Sequence, residues 1–450
     1  MRFLLCSARV RTIGVPHHHD CPPEEFKLIC TIIKHNGDST FLPSLRTLFW
    51  ALRNGNDLLP PLFAPQSLHS LHLTPSYVDP AAIIGKSIRQ FTPSIRSLSI
   101  NIFHHLKLVD PKLQESVVDI ALSLKNLESF MIRQSDSRDP SLVFTPFDIQ
   151  RLGKSPTLTY IAVDIAPFQG APALIELPRI RGLECTGRIT DILTLLKKVK
   201  APLLDLLDLP EVNVYAAAHL EGFMRDLSNM SLARTLQSLY LSIFQHWDGR
   251  LSVNLSTFLK PCISMSKLEK LYLHNSMWRN VLSNDEDIRE IAQYLPDSLR
   301  YLSLPDFHYS PWPSFTLLRH FARHCPNLVE LELRALCLDS RMWQLHYSEE
   351  INEDSRPHLG FLSWKGDHPL QILRTGDMLW GSLPDGMEQE DVEKTGAYLN
   401  ALFPNLDLSR MREILGKGLP PECRSSGAGY YSVLNAVEAA REEQGRRAIG

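Results

Sequence analysis

The stretch 266–278, SKLEKLYLHNSMW, places Leu268, Leu271 and Leu273 in the order L-x-x-L-x-L. Eight-residue segments with apolar residues in these three places recur along the chain, and we call each one a leucine motif. Their first apolar positions are 22 to 35 residues apart, and the last five intervals are 32, 32, 31, 29 and 31 residues. This regularity indicates an internal structural repeat. The motifs are ARVRTIGV (8–15), PSLRTLFW (43–50), QSLHSLHL (66–73), PSIRSLSI (93–100), KNLESFMI (125–132), PTLTYIAV (156–163), PRIRGLEC (178–185), PLLDLLDL (202–209), RTLQSLYL (234–241), SKLEKLYL (266–273), DSLRYLSL (297–304), PNLVELEL (326–333) and PHLGFLSW (357–364).

Helical patterns lie between the motifs. Asp285 and Ser314 are N-cap types at the start of two such patterns, and Pro296 and Pro326 stand where those helices must end. Each repeat is therefore a short strand followed by a helix, and neither element covers its apolar side alone. The sequence predicts an α/β solenoid of stacked repeats, with a curved parallel sheet on the concave face and helices on the convex face. The clearest helical patterns are 110–126, 285–296 and 314–327.

Composition sets limits on the class of protein. The chain has 450 residues, of which 44% are hydrophobic and 22% charged, with a net charge of −3. These values are typical of a folded protein with a large core, and they favour neither nucleic acid nor a membrane as partner. The segment FLLC is too short for a signal-peptide core, and the eight cysteines form no C-x-x-C pair. We therefore expect a cytoplasmic or nuclear protein with free thiols.

From residue 8 to about 365 the chain resembles leucine-rich repeat proteins. Its irregular, helix-bearing units, with P-x-L-x-x-L-x-L at many strand starts, are most similar to the substrate-binding part of fungal F-box/leucine-rich-repeat proteins. That resemblance implies a non-catalytic module that presents a protein substrate to a cullin-RING ubiquitin ligase.

Two features depart from the F-box/leucine-rich-repeat pattern. Counting the first leucine of the motif as one, the family commonly has Asn or Cys in the ninth place, and no asparagine ladder is expected here because other residues hold that place. No F-box-like segment, which resembles L-P-x-E-I followed by apolar helices, precedes the repeats. The F-box is either missing by truncation or truly lost, and a Skp-type adaptor is an expected partner only if an F-box exists upstream. The residues in the ninth place include Arg53, Phe103, Phe244, Ser276, Phe307 and Leu336.

The repeats end before the C-terminus of the chain. We assign 1–365 to the leucine-rich-repeat solenoid and 366–419 to a C-terminal cap that contains a degenerate last motif, 403–411. The segment 366–391 is rich in turn residues, and 390–403 has the pattern of an amphipathic helix. A linker (420–429) and a charged terminal helix (430–447) make up most of 420–450.

The candidate binding surface is the sheet face that the motif leucines leave open. Alternation along each strand exposes one central residue per motif. Tyr240 and Tyr272 fall on adjacent strands, with His274 and Tyr301 one step away, and tyrosine is enriched in binding hot spots. Trp247, Trp278 and Trp312 follow the same strands, although such aromatics also fill gaps between irregular repeats. The central residues are Phe49, His72, Ser99, Met131, Ala162, Glu184, Asp208, Tyr240, Tyr272, Ser303, Glu332 and Ser363.

Motifs for catalysis or metal binding are incomplete. The segment LGKS (152–155) lacks the first glycine of a phosphate-binding loop, because Asp148 stands there. His320 and His324 have zinc-like spacing on a helix, but Phe321 replaces the glutamate of H-E-x-x-H. The segment HHHDC (17–21) has no second ligand pair. We therefore expect no enzyme activity, cofactor or metal.

Two other functions stay open. The chain could be a stand-alone leucine-rich-repeat scaffold or regulator without a role in ubiquitination. An enzyme with its site in 366–450 is a remote alternative. Basic runs between residues 151 and 200 also leave an acidic peptide or a phosphate-bearing ligand open.

Overall fold

The computed structural model describes residues 10–14, 44–52, 67–75, 94–102, 111–134, 143–166, 174–244, 255–275, 285–304, 314–338, 368–380, 389–418 and 424–449. The chain divides into two compact units, Met1–Glu211 and Val212–Gly450. We describe each unit by itself.

The first unit is built on a parallel sheet. The strands of the described ranges are β1 (Thr12–Gly14), β2 (Thr47–Leu52), β3 (Ser70–Pro75), β4 (Ser97–Ile102), β5 (Ser129–Gln134), β6 (Tyr160–Asp164), β7 (Ile175–Glu176), β8 (Gly182–Arg188), β9 (Val199–Lys200) and β10 (Leu206–Asn213). In this sheet the strand order is β1-β2-β3-β4-β5-β6-β8-β10, and β7 and β9 form a separate parallel pair. Chain order and sheet order therefore agree, as expected for stacked repeats.

Three described helices belong to the first unit: α1 (Pro111–Ser123), α2 (Pro146–Gly153) and α3 (Ile189–Lys198). Helix α1 lies within the predicted pattern 110–126. Thr145 caps α2, because its hydroxyl accepts a hydrogen bond from the Asp148 N–H while the Asp148 carboxylate accepts one from the Thr145 N–H. Ile192 and Leu196 of α3 are buried in the core.

The second unit repeats this plan. Its described strands, all parallel and paired in chain order, are β11 (Ser238–Phe244), β12 (Lys270–Asn275), β13 (Tyr301–Leu304), β14 (Glu330–Leu338) and β15 (Ile372–Trp380). The described helices are α4 (Ala217–Asn229), α5 (Leu255–Leu259), α6 (Asp285–Tyr294), α7 (Leu318–His324), α8 (Gln389–Leu402), α9 (Leu408–Gly418) and α10 (Arg424–Ile449). None of the helices in the described ranges is long and apolar enough to cross a membrane.

The leucine motif explains where each strand begins. Every motif from 8–15 to 326–333 contains a strand that starts at its fifth residue. The first leucine of the motif is buried in the turn before the strand, and the other two point into the core. Leu268, Leu271 and Leu273 show this arrangement, with at most 1% of each residue exposed. Each such leucine stabilises the fold by about 1.5–3 kcal/mol. The predicted leucine-rich-repeat solenoid is confirmed.

Polar side chains at the strand starts connect successive repeats. In several repeats, the side chain of the residue just before the first motif leucine donates a hydrogen bond to the preceding repeat. Ser67 Oγ donates to the Leu45 carbonyl at 2.9 Å, and Ser298 Oγ donates to the Leu268 carbonyl at 2.8 Å. Thr157 Oγ1 makes the equivalent bond. These bonds satisfy buried carbonyl groups at a place other than the ninth motif position of the family.

The C-terminal part of the sheet differs from the sequence analysis. The motif 357–364 lies outside the described residues, and β15 pairs with β14 in its place. This strand belongs to a motif that the sequence analysis missed, with Leu370, Leu373 and Thr375 buried in the three apolar positions. The segment 372–380 is thus a strand rather than a series of turns.

The helices that follow β15 have partly the predicted positions. Helix α8 agrees with the amphipathic pattern expected near residues 390–403. The degenerate motif 403–411 begins like a repeat, because the Asp407 N–H donates to the Gln371 carbonyl at 2.8 Å, but the chain then enters α9. Helix α10 begins at Arg424, inside the predicted linker. The boundaries at 365 and 419 stay predictions.

Candidate recognition surface on the open face of the sheet

The strand registers bring the predicted central residues into line. In the first unit, Phe49 pairs with His72 and Glu184 pairs with Ala162. In the second unit, Tyr240 pairs with Tyr272. We call these lines the central row of each unit and the side of the sheet that bears them the open face. The predicted Ser363 lies outside the described residues, and Arg374 stands beside Glu332 in the row. The row of the first unit, as far as its registers are given, is Phe49, His72, Ser99, Met131, Ala162 and Glu184; that of the second is Tyr240, Tyr272, Ser303, Glu332 and Arg374.

Tyr240 and Tyr272 form a stacked pair on the open face of the second unit. Their ring centroids are 4.5 Å apart, and the planes differ by 5°. This spacing follows from their direct pairing on adjacent parallel strands. Both residues are half-buried. The structure therefore brings together two of the predicted site residues, and their role in binding stays a prediction.

The other predicted site residues differ in position. Tyr301 is half-buried on β13, and the Lys270 ammonium lies 5.2 Å from the centroid of its ring. That distance permits a cation–π interaction. His274 is exposed on β12. Trp247, Trp278 and Trp312 lie outside the described residues.

Charged residues continue the open face beyond the tyrosine pair. Ser303 Oγ donates a hydrogen bond to Glu332 Oε2 at 2.6 Å, and Arg374 Nη2 lies 2.6 Å from Glu330 Oε1. Burial, followed by the nearby Tyr240 and Glu330, raises the pKa of Tyr272 to about 12. The Tyr272 hydroxyl is therefore protonated at neutral pH and able to donate a hydrogen bond.

A second aromatic contact lies on the open face of the first unit. Phe49 stacks on the His72 ring with centroids 4.2 Å apart and planes 11° from parallel. Phe49 is 43% exposed, so its ring presents apolar surface on the open face. The alternation along the strands predicts both residues on this face, but it does not predict their contact.

The first unit also carries an ionic cluster centred on Glu184. Arg133 on β5 donates to both carboxylate oxygens of Glu184 on β8, from Nε at 3.1 Å and from Nη2 at 2.9 Å. The Tyr160 hydroxyl donates to Oε2 at 2.5 Å. Glu184 is 3% exposed, so these three bonds replace water around its carboxylate. The hydrogen bond to Glu184 raises the pKa of Arg133, and burial, followed by that same carboxylate, raises the pKa of Tyr160.

Two small residues make room for this cluster. A Cβ on Gly182 would lie 2.4 Å from Cδ2 of Tyr160, so only glycine lets the tyrosine ring cross β8 at this place. Ala162 stands directly beside Glu184, on the strand between β5 and β8. Its methyl group leaves space above β6 for the Arg133 side chain.

Asp208 on β10 lies next to the cluster without joining it. The Arg181 carbonyl accepts from the N–H groups of Asp205 and Leu206, which sets Leu206 opposite Gly182 and Asp208 opposite Glu184. The Asp208 carboxylate makes no hydrogen bond or ion pair with any residue that the structure describes. Burial raises its pKa to about 6, the Glu184 carboxylate adds to the increase, and Arg133 reduces it.

The remaining sequence signals have structural explanations in the described ranges. Lys154 of LGKS is the C-cap of α2. His320 and His324 have parallel rings with centroids 6.5 Å apart, and burial lowers the pKa of His320 to about 4. HHHDC lies outside the described residues. Within the described residues, no group of three or more His, Cys, Asp or Glu side chains has the arrangement of a metal site.

Basic residues between 151 and 200 are partly neutralised. Arg151 pairs with Asp119 at 2.5 Å, and Arg181 pairs with Asp205 at 3.6 Å. Both pairs connect neighbouring repeats. These cations are therefore less available to an acidic ligand than the sequence suggests.

Comparisons with known proteins find matches among solved structures but none among family models or curated proteins. No family model matches it, and no curated protein matches it. Among solved structures, a crystal structure of a TLR13–ssRNA13 complex is similar, with a TM-score of 0.33 and 14% sequence identity. The match covers 81% of this chain and 49% of the TLR13 chain, so this chain spans about half of that length. A TM-score this low carries no argument about ligand or activity.

Proposed function

We propose that this chain is a non-catalytic protein-recognition module that binds a partner protein through the open face of its sheets. The stacked pair Tyr240–Tyr272 is the observation that carries the proposal. Two half-buried aromatic rings fixed by strand pairing offer a large contact area, and they lose little side-chain entropy on binding. Their hydroxyl groups add hydrogen-bonding capacity at the same place.

Charge on the open face favours protein over nucleic acid. Arg133 and Arg374 are each bound to a glutamate, and Lys270 lies over the Tyr301 ring. Nucleic acids bind chiefly through phosphate contacts to free cations. Since these three cations already have partners, a polypeptide with its own mixture of apolar and polar side chains suits the surface better.

The finer proposal concerns ubiquitination. The resemblance to fungal F-box/leucine-rich-repeat proteins leads us to propose that the partner is a substrate of a cullin-RING ubiquitin ligase. An F-box preceding this sequence would bind a Skp-type adaptor, and the protein would act in the cytoplasm or nucleus. Without an F-box, the same surface would serve a stand-alone scaffold or regulator.

Affinity purification followed by mass spectrometry tests both the recognition of a partner protein and the proposed role in ubiquitination. The bait is the full-length gene product with any upstream coding sequence, expressed in its own cells, as wild type and as the double variant Tyr240→Ala/Tyr272→Ala. Tyr431→Ala is the matched control, because Tyr431 is an exposed tyrosine on the helix α10 and not on a strand of the sheet. We expect at least one partner to be lost with the double variant and kept with the control.

The outcomes separate the alternatives. Skp-type adaptor and cullin in the wild-type sample would support the ubiquitin-ligase proposal. Partners that depend on the tyrosine pair, without ligase subunits, would leave a scaffold or regulator. A partner set unchanged by the double variant would contradict recognition through this surface.

A further inference from the structure

The open face of the first unit carries an ionic cluster with unequal charges. The Arg133 guanidinium on β5 binds the Glu184 carboxylate on β8, and Asp208 on β10 stands directly opposite Glu184. Arg133 donates both of its described hydrogen bonds to Glu184. Asp208 therefore stands beside the pair as a carboxylate that has no cation of its own among the described residues.

The surroundings of Asp208 are partly apolar. Leu206 on the same strand lies opposite Gly182, and a Cβ on that glycine would meet Leu206 Cδ2 at 3.4 Å and the Tyr160 ring on the other side. The Leu206 side chain and the Tyr160 ring thus lie close together over Gly182, one step along the open face from Asp208. Both residues are half-buried.

An apolar patch next to an unpaired carboxylate has a specific complement. Lysine and arginine carry a long aliphatic stem with a charge at its end. The stem would lie along Leu206 and the Tyr160 ring, while the charged end reaches Asp208. A cation beside a tyrosine ring is also attracted by the quadrupole of that ring. A neutral or acidic side chain would leave the carboxylate desolvated and unpaired.

We propose that Asp208, with Leu206 and Tyr160, forms a binding site for a lysine or arginine side chain of the partner protein. This inference rests on the proposed function, because the partner is a protein bound at the open face. Glu184 and Arg133 position the site: their pair fixes the Tyr160 ring and keeps Arg133 from neutralising Asp208 fully. The cation from the partner completes the cluster, with two positive and two negative charges.

The test selects peptides and then measures them. A phage-displayed library of random linear peptides is selected at pH 7.5 against the purified full chain, and synthetic copies of the enriched peptides are titrated by fluorescence anisotropy. The proteins are wild type, Asp208→Asn, Tyr240→Ala/Tyr272→Ala and Asp191→Asn. Asp191 is a matched control, because it is a half-buried aspartate of the same unit, located on α3.

We expect peptides that bind the first unit to contain Lys or Arg. Asp208→Asn should weaken them about tenfold, as should norleucine in place of the basic residue, because each change removes one side of a partly buried charge pair. Asp191→Asn should change the affinity less than about twofold, since surface charges contribute little at a distance. Circular dichroism of each variant confirms that it is folded.

The opposite results overturn the inference in distinguishable ways. Peptides that bind Asp208→Asn as tightly as wild type, but are weakened by the tyrosine double variant, would refute the site at Asp208 and leave the proposed function standing. Enriched peptides without Lys or Arg that depend on Asp208 would refute the ligand chemistry. Failure to enrich any peptide would count against both proposals.

Discussion

Arg133 on β5 reaches across β6 to hold Glu184 on β8 through hydrogen bonds of 3.1 and 2.9 Å. The two partners differ in burial, because 57% of the arginine side chain but only 5% of the glutamate side chain is exposed. Removing the arginine would leave a nearly buried carboxylate with the Tyr160 hydroxyl as its remaining described partner. A buried charge that loses its counter-ion is strongly destabilising.

Arg133→Ala should therefore lower the free energy of unfolding by about 2 kcal/mol, a figure that allows for the exposure of the guanidinium. The matched control is Arg96→Ala. Arg96 has the same 57% side-chain exposure and pairs at 3.3 Å with Glu128, which is 52% exposed. Its loss should cost less than about 0.5 kcal/mol. Urea denaturation measures both variants, and equal losses would show that burial of Glu184 does not matter.

Gly182 should not tolerate a larger side chain. Gly182→Ala would place a methyl group 2.4 Å from the Tyr160 ring, so the tyrosine must move away from Glu184. We expect a loss of about 1–3 kcal/mol in the free energy of unfolding. Gly445→Ala in α10 is the control, because a Cβ added there would have no atom within 4 Å, and helix propensity predicts a gain of up to about 1 kcal/mol. A stable Gly182→Ala variant would mean that Tyr160 does not cross β8 as described.

Asp208 should make stability depend on pH in a direction opposite to that of a salt-bridged aspartate. Its pKa is raised from 3.8 to about 6 in the folded chain, so folding favours its protonated form. The stability contributed by this group is fully present below pH 3.8 and is lost as the pH rises through about 6. The groups that face Asp208 from the described strands of its unit are Glu184, Arg133 and Tyr160.

Asp208→Asn should consequently stabilise the protein at pH 7.5 by an amount on the order of 1 kcal/mol, reduced from the full shift because the carboxylate is partly exposed. At pH 4 the variant and the wild type should melt at nearly the same temperature. Thermal unfolding followed by circular dichroism at the two pH values tests this difference. Destabilisation at pH 7.5 would show that the ionised carboxylate already has a favourable partner.

Thr375 occupies a motif position that leucine, isoleucine or valine fills in most of the other described repeats. Its Oγ1 atom is buried and has no hydrogen-bond partner among the described residues. Thr375→Val keeps the shape and removes the hydroxyl, so we expect a gain of about 1 kcal/mol in the free energy of unfolding. Thr375→Ala, which also removes the methyl group, should lose stability instead. A loss on the valine substitution would reveal a bound water at this hydroxyl.

Neighbouring residues on β12 should respond differently to truncation. Leu271 has 0% exposure and points into the core, whereas Tyr272 is half-buried on the open face. Leu271→Ala should cost about 2–5 kcal/mol, and Tyr272→Ala about 1 kcal/mol. Chemical denaturation of the two variants checks the register of the sheet directly. A larger loss for Tyr272→Ala would mean that the two faces are assigned the wrong way round.

The periodicity of the leucine motifs predicts the strands and the face of the sheet on which each strand residue lies. Because side chains alternate along a strand, the positions of Leu268, Leu271 and Leu273 were enough to predict that Tyr240 and Tyr272 lie side by side. The contact between Arg133 and Glu184 could not be predicted in this way. This contact depends on the small residues Ala162 and Gly182. The spacing of residues along the sequence does not predict that a side chain extends across a neighbouring strand.

Strand β15 was not predicted from the sequence, for two reasons. Thr375 replaces the third apolar residue of the motif, and Leu370 follows Leu328 by 42 residues, beyond the 22 to 35 of the other motifs. Parallel pairing with β14 nevertheless places this strand in the sheet. Packing of β15 against the edge strand β14 compensates for the threonine in the third apolar position. A motif search that considers one segment at a time does not include this packing.

The central claim is that the open face contacts a protein partner, and site-specific photo-crosslinking measures that contact most directly. Purified full chain carrying a benzophenone amino acid in place of Tyr272 would be irradiated in a lysate of its own cells. The same amino acid in place of Ile263, which is 57% exposed and lies outside the sheet, is the control. We predict a discrete crosslinked protein from position 272 that is absent from position 263. Crosslinks from position 263 alone, or the same products from both positions, would contradict recognition through the open face.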